Sequence, residues 1–465
     1  MPDRDDDASA TPPPTAPAAP GPPDAPALRT LLELSLPAVL IGIVAAVVLW
    51  ALDKASAAVE DVLWTDLPGA LGVDPDARWW IFAMLTGAGL LVGLVVWLVP
   101  GHGGRDSATT ELIAPPLPLH VLPSLVIVTV LGLAGGVSLG PENPIIAINT
   151  ALLVAVVARL WPKVPTDLVV MLAASATIGA LFGTPVAAAL VFTGVVAGFR
   201  SGGPLFDRLF LPLVSAGAGA ITMDAFGRPF AAMDLPDLGI PDIGDVGISL
   251  LIATAAAGLA LLGVLAFPHV HRFFHSMRNP VLYVTLGGVV LGVLGAIGGP
   301  LTLFKGSEQS FELVQQRADF STWNLVLIFA IKLVALVIAA AAGFRGGRIF
   351  PAVFIGVAAG VTVNAALPGI PLGLSIASGV LGVVLAVGRD GWVALFVAVA
   401  VVGDVGVLPL LCIAILPVWL LVRSAPEMLA APETLTALAA ASEEAAPTGE
   451  GRPAPTEGSG RPDAS

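Results

Sequence analysis

Long apolar segments separated by short breaks of Gly and Pro dominate the chain between residues 36 and 422. Leu36–Leu52 and Trp79–Val99 are two clear examples, and each approaches the roughly 20 residues that a helix needs to cross a hydrocarbon core. Hydrophobic residues make up 56% of the chain and charged residues only 12%, against about 25% charged residues in soluble domains. A soluble protein with so few charges would aggregate. The sequence therefore predicts an all-α polytopic membrane protein.

Many more apolar segments follow these two. They lie near residues 121–139, 145–160, 166–182, 185–199, 209–222, 247–267, 281–299, 323–343, 351–366, 371–387, 391–402 and 405–422. Several are shorter than a full span, and many contain Gly or Pro. Such segments are typical of transporters built from discontinuous helices. We therefore predict broken helices that meet at a central binding site.

The composition of the chain predicts its domain organisation. Residues 1–27 consist mainly of Pro, Ala and Asp, and residues 431–465 are rich in Ala, Glu, Pro and Gly, so both are predicted to be disordered tails without a folded soluble domain. Residues 28–430 are predicted to form one transmembrane domain. A Gly/Pro break, an apolar segment and a second break occur in the same order in both halves. This order predicts inverted repeats at about 28–225 and 245–430, with the binding site between them.

The charges of the loops predict the orientation of the chain. Residues 53–78 and 224–245 are mostly acidic, whereas Arg residues flank the connections near 200–208 and 272–278 and follow the last apolar segment at Arg423. Lys and Arg concentrate in the cytoplasmic loops of membrane proteins. We therefore expect a multi-pass protein of the cell membrane with the acidic loops outside and both termini in the cytoplasm.

Several classes of function lack the residues that they need. Cys412 is the only cysteine, which excludes disulfides within the chain and thiolate metal sites. The sequence has no HExxH and no serine-centred GxSxG, and no basic patch favours nucleic-acid binding. We therefore predict no enzyme activity, no cofactor and no metal site. His269, His271 and His275 lack the sequence pattern of a metal motif, and beside Arg272 they are predicted to form a solvated positive edge.

A single carboxylate, Glu142, lies in the break Gly140-Pro141-Glu142-Asn143-Pro144, between two apolar segments. Placing a charge inside a membrane costs roughly 2.5 to 3.5 kcal/mol on insertion scales, so such a residue is a functional candidate. The helix that follows the break offers free backbone amides and the positive end of its dipole. Glu142 is therefore predicted to belong to an ion site. A simple helix-capping role is the alternative.

Two further breaks have the same character, Pro100–Gly104 and Gly346–Pro351. Glycine lets backbone amides approach a ligand, and several helix N-termini that converge would bind an anion without a full cationic charge. Such weak binding suits transport, because the anion must also be able to leave. The three breaks together favour an anion site over a set of ordinary turns.

The breaks resemble the signature sequences of the CLC family of chloride channels and proton-coupled chloride transporters. Gly101–Arg105 occupies the position of the family's GSGIP motif, Gly140–Pro144 that of G(K/R)EGP, and Gly346–Pro351 that of GGxFxP. Phe182–Pro185 resembles a further Phe-x-x-Pro segment. The resemblance covers Leu28–Leu429 and is that of a divergent bacterial-type member without CBS domains.

The resemblance implies a homodimer in membrane lipid, with one pore per subunit built from two inverted repeats. It implies that Glu142 is the external gate, whose carboxylate competes with chloride or a similar anion and carries a proton. It also implies an anion site formed at the three motifs, by Gly101, His102, Gly103, Gly140, Pro141, Arg348, Ile349 and Phe350.

The chain departs from the family pattern on the inner side of the predicted pore. His102 replaces the serine of the first motif, and it could donate to the anion, take up a proton, or simply face water. Met428 lies where the family has a tyrosine, while the only tyrosine is Tyr283. Val195 lies where the exchangers have an internal glutamate, and an apolar residue there is typical of the channels.

We therefore expect passive, voltage- or pH-gated conduction of chloride or a similar monovalent anion through a pore gated by Glu142. One alternative is proton-coupled antiport of chloride, fluoride or nitrate through a different internal proton group. Asp390 and Asp404, which border apolar segments, are candidates for that group, although helix caps are the other interpretation. A non-transporting membrane scaffold or sensor is an alternative of another class.

Overall fold

In the computed structural model, which describes residues 28–193, 204–227 and 232–430, the apolar segments are helices. No strand forms in these ranges, and the isolated β-bridge found there joins Gly140 to Gly347. Within the same ranges, nine helices are long and apolar enough to cross a membrane. The prediction of an all-α polytopic membrane protein is confirmed.

Each predicted apolar segment contains a helix. The helices of the first half are α1 (Leu28–Asp61), α2 (Leu67–Leu71), α3 (Arg78–Leu98), α4 (Leu122–Ala134), α5 (Glu142–Leu160), α6 (Thr166–Phe182), α7 (Pro185–Leu190) and α8 (Leu205–Phe226). The helices of the second half are α9 (Ile243–His275), α10 (Pro280–Gly298), α11 (Ser307–Gln315), α12 (Thr322–Ala341), α13 (Ile349–Ala366), α14 (Leu372–Gly388), α15 (Gly391–Val402) and α16 (Leu408–Arg423). The predicted tails and Val195 lie outside the described residues.

The first helix is longer than its apolar segment. The sequence predicted a span at Leu36–Leu52, but α1 continues to Asp61 and then passes into a π-helical turn. Tertiary contacts stabilise the charged extension, since Lys305 Nζ donates to Asp53 Oδ1 at 2.8 Å. An apolar pattern predicts the part of a helix that lies in lipid. It does not predict a polar extension that is stabilised by contacts with other segments.

Lys332 is a charged residue in the middle of an apolar helix, and the sequence analysis assigned it no role. It lies in α12 with none of its surface exposed, and its ammonium donates to the carbonyls of Thr302, Leu303 and Phe304 at 3.0, 2.6 and 2.8 Å. These carbonyls belong to the non-helical connection before α11. Backbone groups outside helices need partners from the protein at membrane depth, and an ammonium provides three donors. Lys332 therefore stabilises this connection.

Each half of the chain contains a helical hairpin that begins at a Gly/Pro break. The hairpins are α5–α6 and α13–α14, and their first helices begin beside the bridge between Gly140 and Gly347. Within α13–α14 the backbones approach so closely that a Cβ on Gly356 would collide with Val380, and a Cβ on Gly379 would collide with Gly356. The matching order of the hairpins agrees with two repeats, while the predicted repeat boundaries stay a prediction.

Candidate functional site

The second and third breaks lie side by side, although Gly140 and Gly347 are 207 positions apart in the sequence. The Gly140 amide donates to the Gly347 carbonyl at 2.8 Å, and the Gly347 amide donates to the Gly140 carbonyl at 2.6 Å. These antiparallel bonds satisfy backbone groups that no helix can satisfy. They also bring the N-termini of α5 and α13 to one place.

The carboxylate of Glu142 occupies the N-terminus of α13. Its side chain is fully buried, and its Oε1 accepts the Phe350 backbone N–H at 2.6 Å. A Cβ at Gly140 or at Gly347 would collide with this carboxylate, so both glycines leave the space that it fills. The Glu142 carboxylate thus lies where free amides and the positive end of a helix dipole favour a negative charge.

One oxygen of Glu142 is without a partner. Oε2 is buried and meets no hydrogen-bond donor in the part of the chain that the structure describes. A buried polar atom without a partner usually costs about 1 to 3 kcal/mol. The carboxylate thus accepts one short hydrogen bond from α13, and the amides of Ile349 and of Glu142 itself also interact with it.

Aromatic packing places the Phe182–Pro185 segment at the same point. The Phe182 ring, at the end of α6, lies 5.4 Å from the Phe350 ring between centroids. Both side chains are buried, with exposed fractions of 3% and 0%. The three segments that the sequence analysis grouped at Glu142, Phe182 and Phe350 thus come together in the fold.

A cavity of about 370 Å³ lies next to the start of α13. Arg348 and Ile349 line it, together with Asn143 of α5 and Met428, which follows α16. Met428, the residue nearest to the family's tyrosine in the sequence comparison, is buried. The remaining lining includes four charged residues, namely Glu111, Arg389, Asp390 and Glu427.

Gly101, His102 and Gly103, which were predicted to bind the anion, lie in the loop that follows α3. His102 Nδ1 lies 2.8 Å from the Val96 carbonyl, and the Gly103 amide donates to Ser124 Oγ at 3.1 Å. None of these three residues is among the described residues that line the cavity beside Arg348. They pack against α3 and α4, so their position does not support direct contact with an anion in that cavity.

A later part of the same loop reaches both other breaks. Ser107 Oγ accepts the Gly346 amide at 2.8 Å, and the Thr110 carbonyl accepts from Arg348 Nη2 at 3.3 Å and from Asn143 Nδ2 at 3.4 Å. Sequence reasoning missed Ser107 and Thr110. Ser107 had a signal, because hydroxyl residues in loops often serve as partners of backbone groups. Thr110 had none, because it acts through its backbone carbonyl, which every residue type has.

The predicted solvated edge holds for His269 and Arg272, which are exposed, but not for His271, which is largely buried. His269 is exposed, but His271 and His275 are only 15% and 28% exposed at their side chains and face Asp106. Arg345 Nη1 also lies 3.4 Å from Asp106 Oδ1. Burial raises the pKa of Asp106. The charge of Arg345 and the hydrogen bond with His275 lower this pKa by more than burial raises it, so it lies well below its ordinary value.

The two candidate proton groups at helix boundaries act as caps. Asp390 Oδ1 accepts the Val393 amide at 2.9 Å at the start of α15. Asp404 accepts the amides of Gly406 and Leu238 at 2.7 and 2.9 Å. The capping interpretation of Asp390 and Asp404 is confirmed.

Comparison with known proteins gives concordant results. The family described as voltage gated chloride channel matches residues 88–420, more than half of the chain. YfeO of Escherichia coli strain 55989, whose name assigns it to ion transport, is 47% identical over 404 residues, which cover 87% of this chain and 96% of YfeO. The YfeO protein of strain K12/DH10B is likewise 47% identical over 404 residues, with the same coverage of both chains.

Solved structures share the fold at low sequence identity. The crystal structure of a slow cyanobacterial Cl⁻/H⁺ antiporter aligns with a TM-score of 0.70 at 16% identity, covering 90% of this chain and 99% of that one. A CLC-type fluoride/proton antiporter aligns with a TM-score of 0.61 at 19% identity, covering 87% and 98% of the two chains. The similarity to both therefore extends over nearly the whole described membrane domain.

Proposed function

The chain belongs to the CLC family of voltage-gated chloride channels, and we propose that it carries chloride or a similar monovalent anion across the cell membrane along a path gated by Glu142. The observation that carries this proposal is the position of the Glu142 carboxylate on the Phe350 amide at the N-terminus of α13. A carboxylate there is a tethered anion in an anion site. A transported anion competes with it for the same amides.

Protonation of Glu142 supplies the gate. The ionised side chain is held by the Phe350 amide and by the dipole of α13. A protonated carboxyl is neutral, so it loses most of this attraction and leaves the amide to the anion. The unpartnered Oε2 adds nothing to this attraction within the described residues. Anion flux should therefore rise as the pH on the gate side falls.

The cavity beside Arg348 provides the approach to this site. Arg348 and Ile349 line it at the point where α13 begins, and Glu427 lines it together with them. A guanidinium attracts an anion into the cavity, while a carboxylate in the same cavity weakens that attraction. An anion held by such balanced charges can leave again, as transport requires.

Reconstituted liposomes test the proposal. We expect chloride efflux from wild-type vesicles that increases at acid pH, and faster, pH-independent efflux from Glu142→Gln, whose side chain is neutral at every pH. Glu312→Gln is the matched control, because Glu312 is exposed and hydrogen-bonds only to the neighbouring Gln316 at 2.9 Å. Chloride efflux that is equal in all three proteins and in empty vesicles would contradict anion transport and favour a scaffold or sensor.

Proton-coupled antiport is the second candidate for the mechanism. The two structurally similar proteins are described as antiporters, and the cavity lining of this chain includes the carboxylates of Glu111 and Glu427. A second cavity, of about 30 Å³, is also lined by Glu111 and Asn143 and has room for at least one water molecule. These groups offer an internal proton acceptor where Val195 offers none.

A gradient experiment separates the two mechanisms. If a chloride gradient drives protons uphill in wild-type vesicles, the protein is an antiporter, and Glu111→Gln and Glu427→Gln identify which carboxylate serves the inner side. If chloride moves and protons do not follow, passive conduction is supported. Competition of fluoride and nitrate with chloride in the same vesicles defines the selectivity.

We further expect a homodimer with both termini in the cytoplasm. Helix α16 exposes Ile413, Leu416 and Leu420, with exposed fractions of 48%, 62% and 61%, so this face meets lipid or a second subunit. The mass of the purified protein in detergent, measured by light scattering, tests the dimer. Protease accessibility of a C-terminal tag in inside-out vesicles tests the orientation.

A further inference from the structure

A group of three potential metal ligands forms where the end of α9 meets the loop between α3 and α4. His271 and His275 lie one helical turn apart on α9, and Asp106 faces them from the loop. One ligand atom from each residue lies within 4.8 Å of the others. Two imidazoles and a carboxylate are the donor set that Zn²⁺ and similar divalent transition metals accept.

Both ring nitrogens of His275 face acceptor oxygens. Nδ1 lies 3.1 Å from the His271 carbonyl, and Nε2 lies 3.0 Å from Asp106 Oδ2. Donation of Nδ1–H to a backbone carbonyl is the arrangement that orients metal-binding histidines. In that tautomer the Nε2 lone pair faces Asp106 Oδ2 and is available to a metal ion.

His271 supplies the second nitrogen ligand. Its Nε2 is buried, has no hydrogen-bond partner among the described residues and lies 3.9 Å from Asp106 Oδ2. Its ring stacks on that of His275 with a centroid distance of 3.9 Å. The two rings thus present their Nε2 atoms to the same carboxylate oxygen, where one metal ion would contact all three residues.

The surroundings hold these ligands in place. Arg345 contacts Oδ1 of Asp106 and is itself fixed by the Gly343 and Gly103 carbonyls at 2.8 and 3.2 Å, so Oδ2 is left to the histidines. The Tyr283 ring stacks on the other face of His275 at 4.6 Å. The site also lies in the last turn of α9, where the helix dipole favours cations.

We propose that Asp106, His271 and His275 form a binding site for a divalent transition-metal ion. The ion connects the C-terminal end of α9 to the loop that carries Ser107. Because Ser107 accepts the Gly346 amide, the metal lies one hydrogen bond away from the break that precedes α13. A metal at this site is therefore positioned to stiffen the support of the Glu142 site.

Binding of Co²⁺ to the purified full-length protein, prepared without a histidine tag, tests the site directly. We expect one equivalent of Co²⁺ with a visible absorption band of nitrogen and oxygen coordination, and its displacement by Zn²⁺. His271→Ala and His275→Ala should each weaken binding by at least about tenfold, since loss of an outer-shell partner alone has an effect of this size. His269→Ala, an exposed histidine on the same helix, should bind like the wild type.

Three results would overturn the proposal. The first is a wild-type protein that takes up no Co²⁺ at slightly alkaline pH. The second is unchanged binding in His271→Ala and His275→Ala. The third is equal loss in His269→Ala. His275→Gln retains most of the side-chain volume, and its unfolding temperature distinguishes loss of a ligand from loss of the fold.

The effect on transport rests on the proposed function and is measured separately. Zn²⁺ should change chloride efflux from wild-type vesicles by more than about twofold and leave His271→Ala unaffected, if the site is coupled to the gate at the low end of typical coupling energies. If the protein binds Zn²⁺ but chloride efflux does not change, the metal site exists and is not coupled to the gate. If no variant transports an anion, the Co²⁺ titration still decides whether the metal site exists.

Discussion

Glu142 and Asp106 are both carboxylates at breaks of the helical backbone, yet the protein holds them in opposite ways. Glu142 is fully buried, accepts one amide hydrogen at Oε1 and has no donor at Oε2 within the described residues. Asp106 is 18% exposed at its side chain and has partners at both oxygens, from Ala108, Arg345 and His275. Backbone amides hold Glu142 at one oxygen, whereas Asp106 has side-chain partners that include Arg345 and His275.

The difference separates a movable charge from a fixed one. A group that must leave its place needs few bonds, because each extra bond must be broken when it moves. A group that joins a loop to α9 and to the segment before α13 needs its oxygens occupied, and the lowered pKa of Asp106 keeps it ionised across the physiological range. The comparison predicts that changes at Asp106 act on stability and that changes at Glu142 act on transport.

The largest expected effect is that of Asp106→Asn on stability. The substitution leaves Arg345, which is only 8% exposed, without its anionic partner. Loss of one partner of a buried ion pair costs about 3 to 5 kcal/mol, and we expect the lower end because Asp106 is partly exposed. Thermal unfolding in detergent measures the change, with Glu312→Gln as an exposed control. Equal unfolding temperatures of the two variants would show that Asp106 is not a structural clamp.

The second prediction is that Gly140→Ala and Glu142→Ala are coupled. The three atoms nearest to a Cβ on Gly140 all belong to the Glu142 carboxyl group, so the single substitution Gly140→Ala forces this group out of its place. Truncation of Glu142 removes the clash, so the double variant should be more stable than the sum of the single effects predicts. We expect a coupling free energy of roughly 1 to 3 kcal/mol in a double-mutant cycle of unfolding. Additive effects would mean that the carboxylate does not lie against Gly140 in solution.

The third prediction concerns Arg348, which lines the cavity beside α13. Arg348→Gln removes a cation near the proposed anion path, so the apparent affinity for chloride should fall roughly fivefold, or about 1 kcal/mol. Concentration-dependent chloride flux in vesicles measures it. The exposed Arg317 provides the control as Arg317→Gln. An unchanged affinity in Arg348→Gln would place the path of the anion outside this cavity.

The smallest expected effect belongs to Glu427→Gln and has the opposite sign. Glu427 is exposed and lines the same cavity as Arg348, so removing its charge should strengthen chloride binding by less than about 1 kcal/mol. The same flux assay at low and high salt measures the change, which should shrink at high salt. Weaker binding in Glu427→Gln would refute an electrostatic role for this carboxylate.

The sequence predicted the parts of the site that lie at helix starts. Gly140–Pro144 and Gly346–Pro351 were recognisable because each break directly precedes an apolar segment that forms a helix. The same reasoning made Glu142 a candidate for an ion site, but it did not assign the carboxylate to the start of α13. Local signals of this kind depend on neighbouring residues and can therefore be read in order along the chain.

The first motif was located less well, and the backbone explains why. Gly101, His102, Gly103 and Gly104 all have positive φ angles, between 51° and 92°. Consecutive residues of this kind turn the chain in a way that no hydrophobic period reveals. The contacts with the other two breaks consequently fall at Ser107 and Thr110, a few residues later than the motif comparison indicated.

By itself, the sequence determined that this protein is a bundle of membrane helices with an acidic residue at a helix break, because hydrophobicity and backbone chemistry are local properties. Only the tertiary structure decided which groups face each other. The Phe350 amide lies 208 positions from Glu142, and His275 lies 169 positions from Asp106. Pairings of this kind depend on how closely whole helices pack, and the small residues that allow such packing are spread along the chain without a period. The fold therefore assigned the partners of both carboxylates, and with them the contrast between a movable charge and a fixed one.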